Sequence, residues 1–364
     1  MPETSTIARS ALLRGSESIV QCVRRLPNGQ LHLRAISRIV DAYENSEEPW
    51  IIGYSGGKDS TAVVKLVFQA LLRIRNHDKP VTAIYCDTGV EIPVASSLAR
   101  SALSDLRREA LEFQIPIRTA ILTPAMNDRF FVKVLGRGYP PPTDKFRWCT
   151  DRLRINPVTR FLKSEEMRSA VVVLGVREAE SATRRQTLDE NKTGNKFWRR
   201  QGGVANRRLF LPILDYSTQD VWVANLLLNR PISMRAQEVA DLYANASGEC
   251  PTVREVKGAP CGKARFGCWT CTVAKKAVTL HNLIKSGHDN LKPLLDFRLW
   301  LERCRSNPRY RWKRRRNGTP GPGPMTLEWR RTALDRLLRA QEESGLLLID
   351  ASEIEVVRDH WKAE

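Results

Sequence analysis

Trp50-Ile51-Ile52-Gly53-Tyr54-Ser55-Gly56-Gly57-Lys58-Asp59-Ser60 is the stretch that decides the fold. A short apolar run, the signature of a buried strand, ends in a glycine-rich turn. Beyond it Ala62, Val63, Leu66, Val67, Ala70, Leu71 and Ile74 share one stripe of a helix starting near Asp59. Strand, glycine turn and helix together make a phosphate site. Gly56 and Gly57 let the backbone approach phosphate oxygens. The free amides and partial positive charge at a helix start favour an anion. Lys58 adds a full charge, and Ser55 and Ser60 add hydroxyls. Asp59 stands where a Walker A loop requires Ser or Thr, so hydrolysis of the γ-phosphate in the kinase or GTPase manner is not supported.

The pattern continues outward. Val81–Cys86 and Ile115–Leu122 read as strands, Pro93–Leu111 as a helix, and Ala170–Gly175 as another apolar strand. A helix over Ser217–Leu228 takes Ser217 or Thr218 as its cap. Upstream, Leu33, Ile36, Ile39, Val40 and Tyr43 recur at helical spacing. Strands alternating with helices predict an α/β fold with a doubly wound parallel sheet. Ligands of such a sheet sit at the carboxyl ends of its strands. The polar, basic stretch Thr183–Arg208 reads as a surface loop, and Gly318–Pro324 as a loop before a last helix near Thr326–Ser344. The expected organisation is a helical segment over 1–48, the nucleotide domain over 49–235, a cysteine-bearing segment over 236–290 and a basic, then helical, region over 291–364.

Lys and Arg number 59 against 40 acidic residues, a net charge of +19 over 364 residues. That excess speaks to partners, and nucleic acid is the obvious polyanion. From Arg303 to Arg316 eight of fourteen residues are basic and none is acidic. Tyr310 and Trp312 interleave with Arg309, Arg311, Lys313, Arg314, Arg315 and Arg316, so cations for phosphates alternate with rings that can stack on bases. Arg184, Arg185, Lys192, Lys196, Arg199, Arg200, Arg207 and Arg208 form a second basic tract around Phe197 and Trp198. No run of about 18 apolar residues offers a membrane span. Met1–Leu13 lacks the apolar core of a signal peptide, so a cytoplasmic protein is expected.

In a reducing compartment clustered cysteines suggest metal or redox chemistry. Cys261, Cys268 and Cys271 are spaced C-x6-C-x2-C, and Cys149 is a distant fourth candidate. Four thiolates suit a structural zinc or an iron–sulfur cluster, and spacing does not choose between them. Cys250 could replace Cys261. Cys22, Cys86 and Cys304 read as ordinary thiols, with a part in passing sulfur conceivable for Cys86 at a strand end. The five histidines form no spaced ligand pair.

Ser55–Ser60 resembles the PP-loop of the ATP pyrophosphatases, which split ATP between its α and β phosphates. Asp87-Thr88-Gly89-Val90-Glu91-Ile92-Pro93, Lys145-Phe146-Arg147-Trp148-Cys149-Thr150, Leu174-Gly175-Val176-Arg177-Glu178, Pro212-Ile213 and Asp220-Val221-Trp222 resemble the phosphoadenylylsulfate reductase branch. Phe266-Gly267-Cys268-Trp269-Thr270-Cys271-Thr272-Val273 is similar to DndC-like sulfurtransferases of bacterial DNA phosphorothioation, or the related SspD type.

The resemblance implies ATP, Mg²⁺ and a [4Fe–4S] cluster on Cys149, Cys261, Cys268 and Cys271. It implies DNA as substrate, a cysteine desulfurase as sulfur donor and further phosphorothioation proteins as partners. Ser55, Gly56, Gly57, Lys58 and Ser60 would hold pyrophosphate, with Asp87 and Gly175 also at the nucleotide. Asp59 would place Mg²⁺ or cap its helix, and Arg177, oriented by Glu178, would neutralise phosphate. Transfer RNA thiolation shares the loop, cluster and basic surface and stands as the alternative. Sulfate reduction fits less well, because Thr150 follows Cys149 and no cysteine follows Cys304.

Overall fold

The computed structural model describes residues 27–178, 194–201, 207–247 and 266–364. The chain forms two compact units, each assembled from separate stretches. The first comprises Met1–Tyr85, Leu98–Ile121 and Leu162–Ala240, the second Cys86–Ser97, Leu122–Phe161 and Asp241–Glu364.

In chain order the elements of the sheet unit are α1 (Gly29–Glu44), β1 (Trp50–Tyr54), α2 (Lys58–Leu71), β2 (Val81–Cys86), most of α3 (Pro93–Glu112), β3 (Ile117–Leu122), β4 (Val171–Val173), β5 (Trp198–Gln201), β6 (Arg207–Phe210), α4 (Thr218–Leu227) and the start of α5 (Ala236–Ser247), whose remainder belongs to the second unit. The six strands lie in the order β3-β2-β1-β4-β6-β5. β1 is central and pairs in parallel with β2 (Trp50 opposite Val81) and with β4 (Trp50 opposite Val171). β6 pairs in parallel with β4, and the edge strand β5 is antiparallel to β6. The chain is therefore α/β with a predominantly parallel sheet. Strands buried on both faces need helices on both sides, which explains why β1 and β2 read as apolar runs without alternation. α2 is buried around nearly its whole circumference and packs on α1 and α4.

One expectation needs correction. Within the supposed surface loop Thr183–Arg208, Trp198–Gln201 and Arg207 onward are strands. Trp198 lies 4.8 Å from Phe210, whose ring lies 5.6 Å from Trp50 in the core. An edge strand needs only one apolar face. Its arginines hid that face from a composition-based reading, yet Arg199 is itself buried and donates to the carbonyls of Lys196 and Trp198. Residues 179–193 and 202–206 of that stretch lie outside the described residues.

The second unit is mostly helical, with α6 (Val278–Lys285), α7 (Lys292–Cys304), α8 (Leu327–Ser344) and α9 (Ala351–Lys362). Its core is aromatic. Phe131 meets Trp269 and Phe297, Phe130 stacks on Trp148, and Trp300 stacks on Trp329 at 5.2 Å. α8 starts at the Thr326 cap. The sequence reading missed α9, although Asp350 and Glu353 form a reciprocal capping box at its start. Among the described residues no helix is long and apolar enough to cross a membrane.

Candidate nucleotide loop and cysteine site

In the first unit β1 delivers the chain into Ser55-Gly56-Gly57, and α2 begins at Lys58. Gly56 is left-handed (φ 74°), which only glycine adopts freely. Gly57 is the extended N-cap residue and supplies no side-chain cap. The turn is closed by Ser60. Its Oγ accepts from the Ser55 amide at 3.1 Å, lies 3.1 Å from the Ser55 hydroxyl and donates to the Gly57 carbonyl at 2.9 Å. Asn225 on α4 donates to the Lys58 carbonyl at 2.9 Å. The first turn of any helix leaves amides without intrahelical acceptors, so this geometry can receive an anion.

Two distant residues complete the loop. Gly175 follows β4, and a Cβ there would stand 2.7 Å from the Asp59 carbonyl oxygen and 3.0 Å from the Ser60 nitrogen. Any side chain at Gly175 would push the loop's backbone away. Arg177, 5% exposed, donates through Nε to Asp59 Oδ1 at 2.5 Å and through Nη1 to Thr218 Oγ1 at 3.3 Å. Lys58 Nζ is 3.9 Å from the other Asp59 oxygen. Arg177 is thus oriented by Asp59, whereas Glu178 is exposed. Asp59 does not cap the helix. Its carboxylate lies between the cations of Lys58 and Arg177.

In the second unit the Asp87–Pro93 segment is a tight turn. Gly89 is left-handed, its amide donates to Asp87 Oδ1 at 2.8 Å, and the Thr88 amide donates to Glu91 Oε2 at 3.0 Å. Glu91 bridges to Cys268, and the Trp269 amide donates to the Val90 carbonyl at 2.9 Å. Arg154 reaches Glu91 Oε1 at 3.8 Å. Cys149 lies on the short helical turn Trp148–Thr150.

Burial raises the Cys149 thiol, and the neighbouring Cys271 raises it further. Cys268 is pushed up to about 12 by burial, which Arg154 opposes and Glu91 and Cys271 reinforce. Burial likewise lifts the Cys86 thiol to about 11, with Glu91 adding to the effect and Arg154 opposing it. Cys149, Cys268 and Cys271 therefore share one neighbourhood, and their chemistry suits a thiophilic metal. Among the described residues, however, no three His, Cys, Asp or Glu side chains close on a common point in metal-holding geometry. Cys261 and Cys250, like Cys22, lie outside the described residues.

Arginines brace this neighbourhood, a feature the sequence reading missed. Arg298, 2% exposed, donates to the carbonyls of Cys271 (2.9 Å) and Ala274. Arg305 donates to the carbonyls of Thr272 and Pro142, and the Thr272 hydroxyl donates to Pro142 at 2.7 Å. Within the basic tract Arg311 is likewise committed to backbone, donating to the carbonyls of Gly323, Pro322 and Arg305. Arg316 donates to the Arg137 carbonyl. Arg309, Trp312, Lys313, Arg314 and Arg315 are exposed. Arg184, Arg185 and Lys192 lie outside the described residues.

Comparison with known proteins places a family model, the phosphoadenosine phosphosulfate reductase domain, over residues 49–274. Two uncharacterized proteins of Methanocaldococcus jannaschii are each 24% identical, over 212 residues (58% of this chain, 37% of the relative) and 196 residues (53% and 40%). The chain thus spans under half the length of these relatives. Loose likenesses among solved structures include a phosphoadenylyl-sulfate reductase from Candida auris (10% identity, 52% of this chain and 77% of that one, TM-score 0.34). Another is the FMN adenylyltransferase of Candida glabrata (12% identity, 89% of each chain, TM-score 0.40).

Proposed function

The chain belongs to the phosphoadenosine phosphosulfate reductase domain family, and from that premise we propose that it is an ATP-dependent sulfurtransferase acting on the DNA backbone. The observation that carries the reading is the Ser55–Ser60 loop. Its anion-receiving turn is held by Ser60, closed against Gly175 and flanked by the cations of Lys58 and Arg177. The Phe266-Gly267-Cys268-Trp269 element and the +19 charge favour DNA phosphorothioation within the family.

A non-bridging phosphodiester oxygen cannot leave as oxide. In the proposed reaction it attacks the α-phosphorus of ATP, the α–β bond breaks and pyrophosphate departs. The DNA phosphorus now carries AMP through an anhydride oxygen. Sulfur at the hydrosulfide level attacks that phosphorus, and AMP leaves with the original oxygen. Ser55, Gly56, Gly57, Lys58 and Ser60 stabilise charge on the departing pyrophosphate, which is the largest contribution such a site makes. Arg177 is positioned to take part once a phosphate competes with Asp59 for its guanidinium. Cys149, Cys268 and Cys271, with Cys261, would hold a [4Fe–4S] cluster, which would pin these segments or present iron to a sulfur ligand. Arg309, Lys313, Arg314 and Arg315 would contact phosphates without reading sequence. A cysteine desulfurase would supply the sulfur, and companion phosphorothioation proteins would select the site.

The test is mass spectrometry of nuclease-digested DNA and transfer RNA from cells carrying the partner genes, with the intact gene or Lys58→Ala. The reading predicts phosphorothioate dinucleotides that vanish in the variant. Unchanged DNA with a lost thionucleoside in transfer RNA would overturn it in favour of base thiolation.

A further inference from the structure

A cleft of about 780 Å³ opens in the first unit between α1 and the β5–β6 hairpin, away from the nucleotide loop. Arg34 and Arg38 of α1, Arg73 beyond the end of α2, and Phe197, Trp198 and Arg208 line it. Arg73 stands fifteen residues after Lys58, and with α2 rising 1.5 Å per residue it lies about 20 Å from the start of the loop's helix. The cleft is a separate site.

Its chemistry is that of an incomplete anion site. Four arginines line it against one carboxylate, Asp41. Arg38 is answered by Asp215 at 3.2 Å and Arg208 by Glu48 at 2.9 Å. Their planes lie on aromatic rings, Arg38 3.4 Å from the centroid of Phe197 and Arg208 4.4 Å from that of Trp198, so both guanidiniums are fixed before any ligand arrives. Arg73 differs. Its Nε and Nη2 are shielded from solvent and have no hydrogen-bond partner among the described residues. Burial alone lowers its proton affinity, with no carboxylate acting in the opposite sense. Arg73 is half-buried and lines the cleft, so an oxyanion there would meet the part of its guanidinium that faces the cavity and answer a charge that is only partly solvated.

The shape indicates a polymer. Gln30 and Asn45, at the two ends of α1, both border the cleft, a span of about 22 Å along the helix. A strand advancing about 3.4 Å per phosphate would place roughly six phosphates along it. We propose that this cleft binds the sugar–phosphate backbone of a nucleic-acid strand, with Arg73 and Arg34 each taking a phosphate. The inference rests on the reading of the substrate as nucleic acid and adds a second binding station, in the first unit, to the basic tract of the second.

The experiment is fluorescence anisotropy of end-labelled 20-nucleotide single-stranded and duplex DNA with the full chain, across a salt series, alongside thermal unfolding. Arg34→Met and Arg73→Met are each expected to reduce the slope of log K against log salt by about 0.7 to 0.9, one phosphate contact. Arg73→Met should unfold at the same or a higher temperature, because it removes a half-buried charge that no group among the described residues answers. If the intact chain binds but neither variant changes the slope, the cleft is not in the interface. A lower unfolding temperature for Arg73→Met with an unchanged slope would make Arg73 a structural group and also overturn the proposal. If the intact chain binds no DNA at 50 mM salt, the reading of the substrate fails first.

Discussion

The nucleotide loop and the cysteine neighbourhood are built in opposite ways. In the loop, residues five apart or fewer bond one another: Ser55 to Ser60, Ser60 to Gly57, Lys58 to Asp59. Gly175, Arg177 and Asn225 come from a distance. In the cysteine neighbourhood almost every contact joins separate segments: Glu91 with Cys268, Arg154 with Glu91, Arg298 with Cys271, Arg305 with Thr272. The loop is electropositive and arranged for an anion before any arrives. Burial pushes the Cys149 and Cys268 thiols toward their neutral forms, so a metal binding there would have to displace their protons. One region is organised by bonds within a short stretch, and the other by contacts between segments far apart in the chain.

The largest expected effect is at Asp59, whose carboxylate lies beside the loop's two cations, Lys58 and Arg177. Asp59→Ala leaves the 5%-exposed Arg177 without its partner. Breaking a buried pair from one side costs about 3–5 kcal/mol. Urea unfolding should show that loss, and millimolar pyrophosphate should restore part of it by replacing the carboxylate. A loss below about 1 kcal/mol would mean that the pair does not hold the loop.

Arg298 is the corresponding test in the cysteine neighbourhood. Arg298→Met removes donors from the Cys271 and Ala274 carbonyls, at about 2–3 kcal/mol for charge-assisted bonds of this kind. Maleimide labelling of Cys271 should accelerate, while ATP binding at the other unit's loop should be unchanged. Unaltered labelling would show that the arginine does not brace the loop.

Gly175→Ala returns to the nucleotide loop with a smaller effect. The added methyl meets backbone at Asp59 and Ser60, which cannot swing aside as a side chain would. Overpacking of this kind costs about 1–3 kcal/mol. ATP affinity should fall with it, because the same backbone carries the amides that face the anion. An unchanged affinity would mean that the loop tolerates displacement.

The same contrast explains what could be read from sequence. β2 was legible to its last residue, Val81–Cys86, because a strand buried on both faces is apolar at successive positions, here at all but Thr82. The loop was legible because its conformation is fixed by adjacent glycines and serines. Arg177 was singled out, but its partner proved to be Asp59, 118 positions away, and nothing local to Arg177 indicates that. Arg298, Arg305 and Arg311 were hidden for a related reason. Arginine counts as a surface residue in any hydropathy pattern, yet these three satisfy carbonyls inside loops that lack regular pairing. Part of the excess positive charge is therefore internal scaffolding and not available to a partner.

The smallest prediction concerns Lys65, one turn and a half along α2 from the loop and 4% exposed. Burial depresses its pKa from 10.5 to about 8, opposed by the charge of Glu109, and its Nζ reaches only the Pro231 carbonyl at 3.4 Å. Between pH 8 and 10.5 the unfolded chain holds a proton on Lys65 that the folded chain has released. Proton uptake then favours unfolding less as pH rises, so this residue adds stability through that window and none below it. Between pH 7 and 9 the gain is about 1 kcal/mol, set by 1.36 kcal/mol for each pH unit above the folded value. Lys65→Met should remove that slope and be more stable than the parent at pH 7, with the two curves converging near pH 10. Parallel curves would show that water reaches the ammonium. The helix that presents the nucleotide loop would then be less tightly sealed than its burial indicates, weakening the contrast between a loop held by its own residues and a cysteine neighbourhood held by distant ones.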